Sequence, residues 1–307
     1  MSTLTALPLH QAFRDLSLMD YLGILWPERS QRALLDLFAA GKIRSGGKPA
    51  GARRLVGELA DLFLLGAIED VPTIFPELGD EPAKGLRVLY EDERLIALWK
   101  PSGVPVVPDR TKGLETVLGW LTRRELAARA TKPPPAYLRL RIVHRIDRLT
   151  SGLVLVAKTA EAERKLAGDF EARRVKKEYL AILEGVVRPA IFTVHCPVVP
   201  GRKGKMRAEA TGGSHDAITD FEVIRRNDAT TLVRARPVTG RTHQIRVHAW
   251  AAGHPLAIDP LYGPKNSREI PGIDRLTLHA HCYTLAEDWE GKRHFEAEAP
   301  AAFLGGA

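Results

Sequence analysis

Cysteine is scarce in this 307-residue chain, which contains only Cys196 and Cys282. Two cysteines without CxxC spacing do not make a disulfide framework or a cysteine-rich zinc site, so we expect free thiols in a reducing compartment. No run reaches the roughly 18 consecutive apolar residues of a membrane-spanning helix, and residues 1–13 lack the basic and apolar regions of an export signal. We therefore expect a cytoplasmic protein without a membrane partner.

Acidic residues are outnumbered by basic ones, with 37 Asp and Glu against 45 Lys and Arg and a formal charge of +8. Such a surplus favours a polyanionic partner without identifying it. The bases are clustered in an acid-free segment between Asp36 and Glu58, in RRVKK at 173–177 and in RKGKMR at 202–207. A solvated surface explains any one cluster equally well, but three in one chain favour nucleic acid.

The N-terminal part of the chain is predicted to be a small α+β module. Ser17 is placed as the N-cap of one helix, which Pro27 ends, and Ser30 as the N-cap of a second, with Gly41 just past its end. KIRSGGKPAG then predicts two short strands joined by a tight turn. The module carries no obvious catalytic constellation, so its predicted role is binding.

The segment LLDLFAAGKIRSGGKPA resembles the alpha-L type of RNA-binding module, named from ribosomal proteins. In that module the second helix and the following hairpin contact RNA. The resemblance implies a module over residues 14–68, and we assign four of its cations to RNA binding: Lys42, Lys48, Arg53 and Arg54. Residues 69–86, rich in proline and acids, are the predicted linker to a larger domain over 87–300.

Strands and helices alternate without a regular βαβ order in the larger domain. Apolar runs predict strands in LRVLYEDERLIALWK, RLRIVH and LVLVAK, and helical periodicity predicts helices over 114–130 and 160–175. Hairpins between adjacent strands favour α+β over a doubly wound parallel sheet.

Two motifs in this domain are dense in polar residues. HRIDRLTSG places Asp147 between Arg145 and Arg148, which taken alone is typical of a turn cap or a surface ion pair. RTHQIRVHAWAAG at 241–253 is predicted to be a helix on which Thr242 and Arg246 share a face. His243 and His248 are five residues apart, whereas a zinc-binding helix pair needs four, so we predict no metal site.

Five segments resemble, in order, the signature motifs of the RluA family of pseudouridine synthases. They are WKPSGVPVVP, HRIDRLTSGLVLVAK, KKEYLAILEG, GRTHQIRVHAWAAGHPLAIDPLYG and LTLHAHCYTL, and they span residues 99–285. The resemblance implies a mixed, largely antiparallel sheet with flanking helices and a central cleft, and an enzyme that isomerises uridine in RNA. It places the catalytic aspartate at Asp147, the tyrosine that packs on the target base at Tyr179, and the basic partner of the aspartate at Arg246.

This sequence departs from the family pattern at two positions: an acid often stands where Leu149 does, and Gly-Asp where Ile258-Asp259 stands. Moving uracil from N1 to C5 attachment consumes no redox equivalent, and the chain has no phosphate-binding glycine loop, so we expect no cofactor. An arginine beside the aspartate favours its ionised form. An aromatic such as Tyr179 offsets part of the cost of flipping the base out of its stack.

The remaining expectations concern partners and alternatives. Arg145 and Arg148 are expected to hold RNA phosphates or to brace their loop, and Arg241 and His243 are also assigned to RNA binding. Ribosomal RNA is the preferred substrate and transfer RNA the second choice, with a monomeric enzyme expected. Two other functions stay open: a non-catalytic RNA-binding protein, and a metal-dependent nuclease built from a set of histidines and acids, namely His144, Asp147, His243, His248 and Asp259.

Overall fold

The computed structural model describes residues 4–7, 17–26, 30–66, 85–107, 116–117, 120–121, 124, 141–209, 216–264, 270–289 and 291–305. The chain divides into two compact units. The first comprises Met1–Ala83 and Val107–Leu140, and the second comprises Lys84–Val106 and Arg141–Ala307. The predicted linker lies largely outside the described residues, as does most of the helix predicted over 114–130. None of the helices in the described part of the chain is long and apolar enough to cross a membrane.

In the described part of Met1–Ala83, the first unit forms two α-helices and a four-stranded sheet. Helix α1 is Leu18–Leu25 and α2 is Gln31–Ala39, and the side chains of Ser17 and Ser30 accept hydrogen bonds from backbone N–H groups as predicted. The strands are β1 (Leu4–Ala6), β2 (Ile43–Ser45), β3 (Lys48–Pro49) and β4 (Phe63–Leu65), in the order β1-β4-β2-β3. The predicted hairpin is therefore β2–β3, and β1 is a strand that the sequence analysis did not include.

The second unit is built on a 10-stranded sheet. Its strands are β5 (Arg87–Glu91), β6 (Leu95–Lys100), β7 (Arg141–Ile142), β8 (Ser151–Ala157), β9 (Lys176–Glu184), β10 (Ile191–His195), β13 (Ile218–Arg226), β14 (Thr230–Pro237), β15 (Leu278–Trp289) and β16 (Lys292–Glu296). Their order is β10-β13-β14-β9-β15-β8-β6-β5, while β16 pairs with β15 and β7 with β8. A separate hairpin joins β11 (Val198–Pro200) to β12 (Met206–Ala208), and the helices are α3 (Ala160–Glu171), α4 (Gln244–Ala251) and α5 (Ala301–Gly305). The sheet is antiparallel apart from the β8–β15 pair, which confirms the predicted α+β class.

Strand β8 fixes the position of the loop that contains Asp147. All seven of its residues are buried, and it lies between β6, to which it runs antiparallel, and β15, to which it runs parallel. Gly152 has a φ of +112°, and a Cβ there would lie 2.1 Å from the carbonyl oxygen of Ala280. Only glycine permits this approach of β8 to β15, so the loop that precedes the strand is held at the centre of the sheet.

The helix predicted over 241–253 begins three residues later than expected. Residues 241–243 form a turn, α4 starts at Gln244, and His243 has a left-handed φ of +57°. Thr242 therefore shares no helical face with Arg246, and that prediction was wrong. The physical reason is the side chain of Gln244, whose Oε1 accepts from the Thr239 hydroxyl at 2.6 Å and from the Arg241 N–H at 3.0 Å. These bonds favour a turn, as polar side chains that bind nearby backbone often do.

Candidate active site

A cleft of about 430 Å³ opens where the Asp147 loop, strand β9 and the start of α4 come together. That volume lies within the usual range of small-ligand pockets. The three residues assigned to catalysis all line it, namely Asp147, Tyr179 and Arg246, and so do three of the residues assigned to RNA binding, namely Arg145, Arg241 and His243. Residues more than 90 positions apart in the chain thus meet at one site.

Arg246 links two carboxylates. Its Nε and Nη2 donate to the two oxygens of Asp259 at 2.8 and 2.7 Å, and its Nη1 donates to Asp147 Oδ2 at 3.3 Å. The arginine side chain is 2% exposed and that of Asp259 is fully buried, whereas that of Asp147 is 25% exposed. A two-bond contact with a planar guanidinium fixes orientation as well as distance. Asp259 therefore holds the arginine, and the arginine presents a third N–H to Asp147.

The charges at this site support one another. Burial alone would lower the pKa of Arg246, but its hydrogen bonds and attraction to Asp259, and then to Asp147, raise it overall. His243 lies with Nε2 3.8 Å from Asp147 Oδ2, and its Nδ1 is 2.8 Å from the Tyr262 hydroxyl. Burial lowers the pKa of His243 despite the opposing effect of Asp147. The neutral imidazole leaves Arg246 as the cation nearest Asp147 among the described contacts.

Tyr179 stands on β9 with its ring packed beside a buried aromatic group. Its hydroxyl is 3.0 Å from that of Tyr283, and His144 stacks on Phe170 with ring centroids 4.4 Å apart. Burial raises the pKa of Tyr179 to about 12, and the charge of Asp147 adds to the effect. Tyr179 is thus a neutral phenol at physiological pH, suited to contact with an uncharged base rather than to proton transfer.

Two residues that shape the site had no predicted role in it: Lys100, and Asp259, which was considered only as a possible metal ligand. The Lys100 side chain is completely buried, and its Nζ donates to the carbonyl oxygens of Pro101, Val104 and Arg148 at 2.7–3.0 Å. It ties the WKPSG turn to the residue after Asp147. Burial lowers the pKa of Lys100 to about 7, although Asp147 opposes this shift. A lysine within an apolar strand next to a turn was the only signal in the sequence.

The other cations assigned to RNA binding have different settings. Arg145 and Arg241 are exposed at the cleft. The side chain of Arg148 is also exposed, but among described residues it is not part of the cleft lining; its carbonyl joins the bonds of Lys100. In the first unit, the four cations assigned to RNA binding are all exposed: Lys42, Lys48, Arg53 and Arg54.

Two of the histidines considered for a metal site, His144 and His248, are engaged in other hydrogen bonds. His248 is buried and bonds to the Thr219 hydroxyl and the Cys196 carbonyl, while His144 Nε2 accepts from the N–H of Leu155 at 2.9 Å. Burial, and then the charge of Lys177, lowers the pKa of His144 to about 3. In the ranges that the structure describes, no group of three or more His, Cys, Asp or Glu is placed to hold a metal ion.

The family model described as RNA pseudouridylate synthase matches residues 94–251, which include the Asp147 loop, Tyr179 and Arg246. The chain belongs to this family. The match confirms the resemblance carried by the five motifs. The alpha-L module lies outside the matched range and remains a prediction.

Similar proteins include three bacterial relatives named ribosomal large subunit pseudouridine synthase C. Those of Haemophilus ducreyi and Pasteurella multocida are 38% and 39% identical over 199 residues, or 63% of this chain. That of Escherichia coli K12 is 36% identical over 214 residues, or 67% of this chain. The alignments cover 59%, 58% and 64% of those proteins, so the chain matches about six tenths of their length.

Solved structures give the same fold. Human RNA pseudouridylate synthase domain containing 1 has a TM-score of 0.56 and 27% identity, covering 72% of this chain and 86% of the human one. Human RNA pseudouridylate synthase domain containing 4 has a TM-score of 0.53 and 23% identity, covering 71% of this chain and 90% of that one, and supports the fold alone.

Proposed function

We propose that this protein is an RNA pseudouridine synthase that isomerises specific uridines through Asp147. The observation that carries the proposal is the arrangement at the cleft, where Arg246 is fixed by Asp259 and donates to Asp147 at 3.3 Å. A partly exposed carboxylate held by a buried arginine is oriented and available to substrate. The family membership independently favours the same reaction.

Each group at the cleft has a role in the proposed reaction. The target base leaves its stack, at a cost of a few kcal/mol, and packs on the neutral ring of Tyr179, which returns roughly 1–3 kcal/mol. Asp147 then acts on the bound nucleoside, either by attack on C1′ of the sugar, which releases the uracil from its N1 bond, or by accepting a proton from the sugar. In both routes the N1–C1′ bond breaks, the C5–C1′ bond forms in its place, and the proton lost from C5 is replaced by one gained at N1. Arg246 balances the charge of Asp147 before and after the step. The isomerisation consumes no redox equivalent, and we propose that it needs no cofactor.

Ribosomal RNA is the substrate we propose. Three relatives carry ribosomal large subunit synthase names, and the first unit has the helix–helix–hairpin order of a module named from ribosomal proteins. Transfer RNA is the alternative for the same chemistry. Mapping pseudouridines in cells with and without the gene would separate the two.

The decisive variant is Asp147→Asn, which keeps the size of the side chain and an acceptor for Arg246. Because Asn can neither attack as a carboxylate nor take a proton, we expect pseudouridine formation to fall by about 10²–10⁴-fold while RNA affinity stays the same. Single-turnover conversion at saturating enzyme isolates the chemical step from binding. The RNA is the one identified by mapping.

The matched control is Asp216→Asn, which removes the same charge from an exposed pair with His195 whose side chains are 54% and 56% exposed. It should retain wild-type conversion, because such pairs contribute only about 0–1 kcal/mol. If Asp147→Asn kept more than about a tenth of the wild-type rate, Asp147 would not be the catalytic group.

A further inference from the structure

The wall of the cleft carries cations that the chemistry at Asp147 does not use. Arg173, Lys177 and Arg241 line the cleft together with the catalytic groups. Lys177 precedes Tyr179 by two residues on β9, so the two side chains project from the same face of the strand. The lysine therefore lies along the path that leads to the proposed base-stacking residue.

Lys177 and Arg241 are held to one loop. Lys177 Nζ donates to the carbonyl oxygen of Thr239 at 3.0 Å, which leaves its other N–H groups available to the cleft. The loop is fixed from beneath by Gln244, which is 4% exposed and accepts from the Arg241 N–H and the Thr239 hydroxyl. The backbone of Arg241 and the ammonium group of Lys177 are thus positioned by hydrogen bonds to neutral groups. Neither bond pairs the positive charge of the residue with an acid.

Arg173 stands where a helix usually ends on glycine. Its φ is +59°, its N–H donates to Phe170 O at 3.2 Å, and the N–H of Arg174 donates to Asp169 O at 2.8 Å. This pattern closes the end of α3, and its left-handed position favours Gly because other side chains are strained there. Retained strain of this kind is concentrated at functional sites, and here the strained residue reaches the cleft.

The charges of these three residues are unbalanced. Among the described residues, none of the three forms an ion pair with a carboxylate, whereas the nearby cations Arg174, Arg234 and Arg236 do. Glu171 also lines the cleft, and Asp147 at its base is bonded to Arg246. Burial, and then repulsion from Arg173, lowers the pKa of Lys177 to about 8. An anion placed between these cations would relieve that repulsion.

We infer that Lys177, Arg173 and Arg241 form a binding site for a phosphodiester that flanks the target uridine. This inference rests on the proposed function and deepens it. When the target base turns into the cleft, its sugar and phosphates stay at the cleft wall. The negatively charged phosphate there is placed to bind cationic side chains. Backbone contacts of this kind fix register without reading sequence. The site is a positioning site for the nucleotide, separate from the groups that act on its base.

The test removes one positive charge from the protein and one negative charge from the RNA, singly and together. The probe is a short single-stranded RNA with one central uridine, made with normal linkages or with a neutral methylphosphonate on the 5′ or the 3′ side of that uridine. Affinity is measured by fluorescence anisotropy for the wild-type chain, for Lys177→Met and for Lys176→Met. Lys176 is the matched control because it is exposed, adjacent on β9 and outside the cleft lining among described residues.

We expect the wild-type chain to lose about tenfold in affinity when one of the two linkages is neutral, which corresponds to one charge-assisted hydrogen bond. Lys177→Met should lose a similar factor with normal RNA and nothing more with the neutral linkage, and Arg173→Gln should behave in the same way. Lys176→Met should respond to the neutral linkage as wild type does. Lys177→Met keeps the apolar stem of the lysine, and its melting temperature verifies that the fold is intact.

Two outcomes would overturn the site. One is a wild-type chain that does not distinguish the charged RNA from either neutral one, including failure to bind them. The other is multiplication of the Lys177→Met and methylphosphonate effects, which would mean that they act independently. Because the readout is binding, the result stands whether or not the uridine is isomerised. If the wild-type chain failed to isomerise uridine in its target RNA, the proposed function would be refuted, but the result of this binding assay would not change.

Discussion

At the scale of single residues, Asp259 determines where Arg246 points. Its two bonds to the guanidinium are 2.7 and 2.8 Å, compared with one of 3.3 Å from Asp147. Its carboxylate also accepts from the backbone N–H groups of Leu261 and Tyr262 at 2.9 and 3.2 Å. Asp259 is thus held both by the guanidinium and by the backbone and acts as a fixed anchor, which leaves Asp147 as the more exposed carboxylate of the two.

We predict that Asp259→Asn lowers both stability and turnover. Asn still accepts the backbone bonds but pairs poorly with the buried guanidinium, so unfolding free energy should drop by about 1–3 kcal/mol. In the double variant with Arg246→Met, the stability loss should be smaller than the sum of the two single losses, because the unpaired buried charge is gone. Turnover should stay low in the Asp259→Asn variant and in the double variant. Urea unfolding and single-turnover rates measure the two effects.

The control for this cycle is Asp216→Asn, whose exposed pair with His195 should couple with nothing in the site. Additive stability losses for Asp259→Asn and Arg246→Met would show that the two side chains do not depend on each other. Recovery of turnover in the double variant would place Arg246 outside the proposed chemistry.

The motifs predicted which residues enter the site better than they predicted the bonds there. Asp147, Tyr179 and Arg246 meet at one cleft, as the resemblance implied. The anchoring of Arg246 by Asp259 and the burial of Lys100 were not predicted, because both depend on which groups lose water on folding. Spacing along a chain carries no information about that. The roles of these residues in catalysis and RNA binding remain predictions.

At the scale of elements, the turn that delivers Asp259 has an unfavourable residue. Ile258 has a φ of +55°, a left-handed conformation that is costly for a β-branched side chain. In the family pattern, Gly often stands at this position. Ile258 also packs against a buried cluster that includes Phe303, which offsets part of the cost.

We predict that Ile258→Gly is more stable than Ile258→Ala by about 1 kcal/mol, because both lose the side-chain packing but only Gly adopts this φ without strain. At Ala257, which is not in the left-handed region, Gly should instead be less stable than Ala by roughly 0.5–1 kcal/mol. Thermal or urea unfolding of the three variants and wild type gives both comparisons. The same preference at 257 and 258 would contradict the backbone explanation.

Elements with local signals were predicted closely. The serine caps of α1 and α2 and the run that forms β8 lie where the sequence placed them. The start of α4 was predicted three residues too early, since Gln244 uses its side chain to hold a turn. The pairing of β8 with β15 was not predicted, because strands more than 120 residues apart leave no local pattern that reveals their order in a sheet.

At the scale of the whole molecule, exposed cations occur in both units. The first unit presents them on and around its hairpin, and the second carries cations that line its cleft. If both contact RNA, the first unit contributes affinity that does not depend on the target uridine, while the cleft contributes the site of reaction. The contribution of the first unit should appear in the salt dependence of RNA binding, and that of the cleft should appear in turnover.

We predict that replacing four exposed cations of the first unit by Gln weakens RNA binding and flattens its dependence on salt. The positions are Lys42, Lys48, Arg53 and Arg54. Each phosphate contact contributes about 0.7–0.9 to the slope of log affinity against log salt concentration, so the slope should fall by about 3 if all four contact phosphates. Conversion of a minimal RNA at saturating enzyme should persist, because the groups around Asp147 are unchanged.

The matched control exchanges Lys for Arg and Arg for Lys at the same four positions, which keeps every charge and should preserve the slope. An unchanged slope in the Gln variant would mean that these side chains do not touch RNA, and the alpha-L assignment would lose its functional basis.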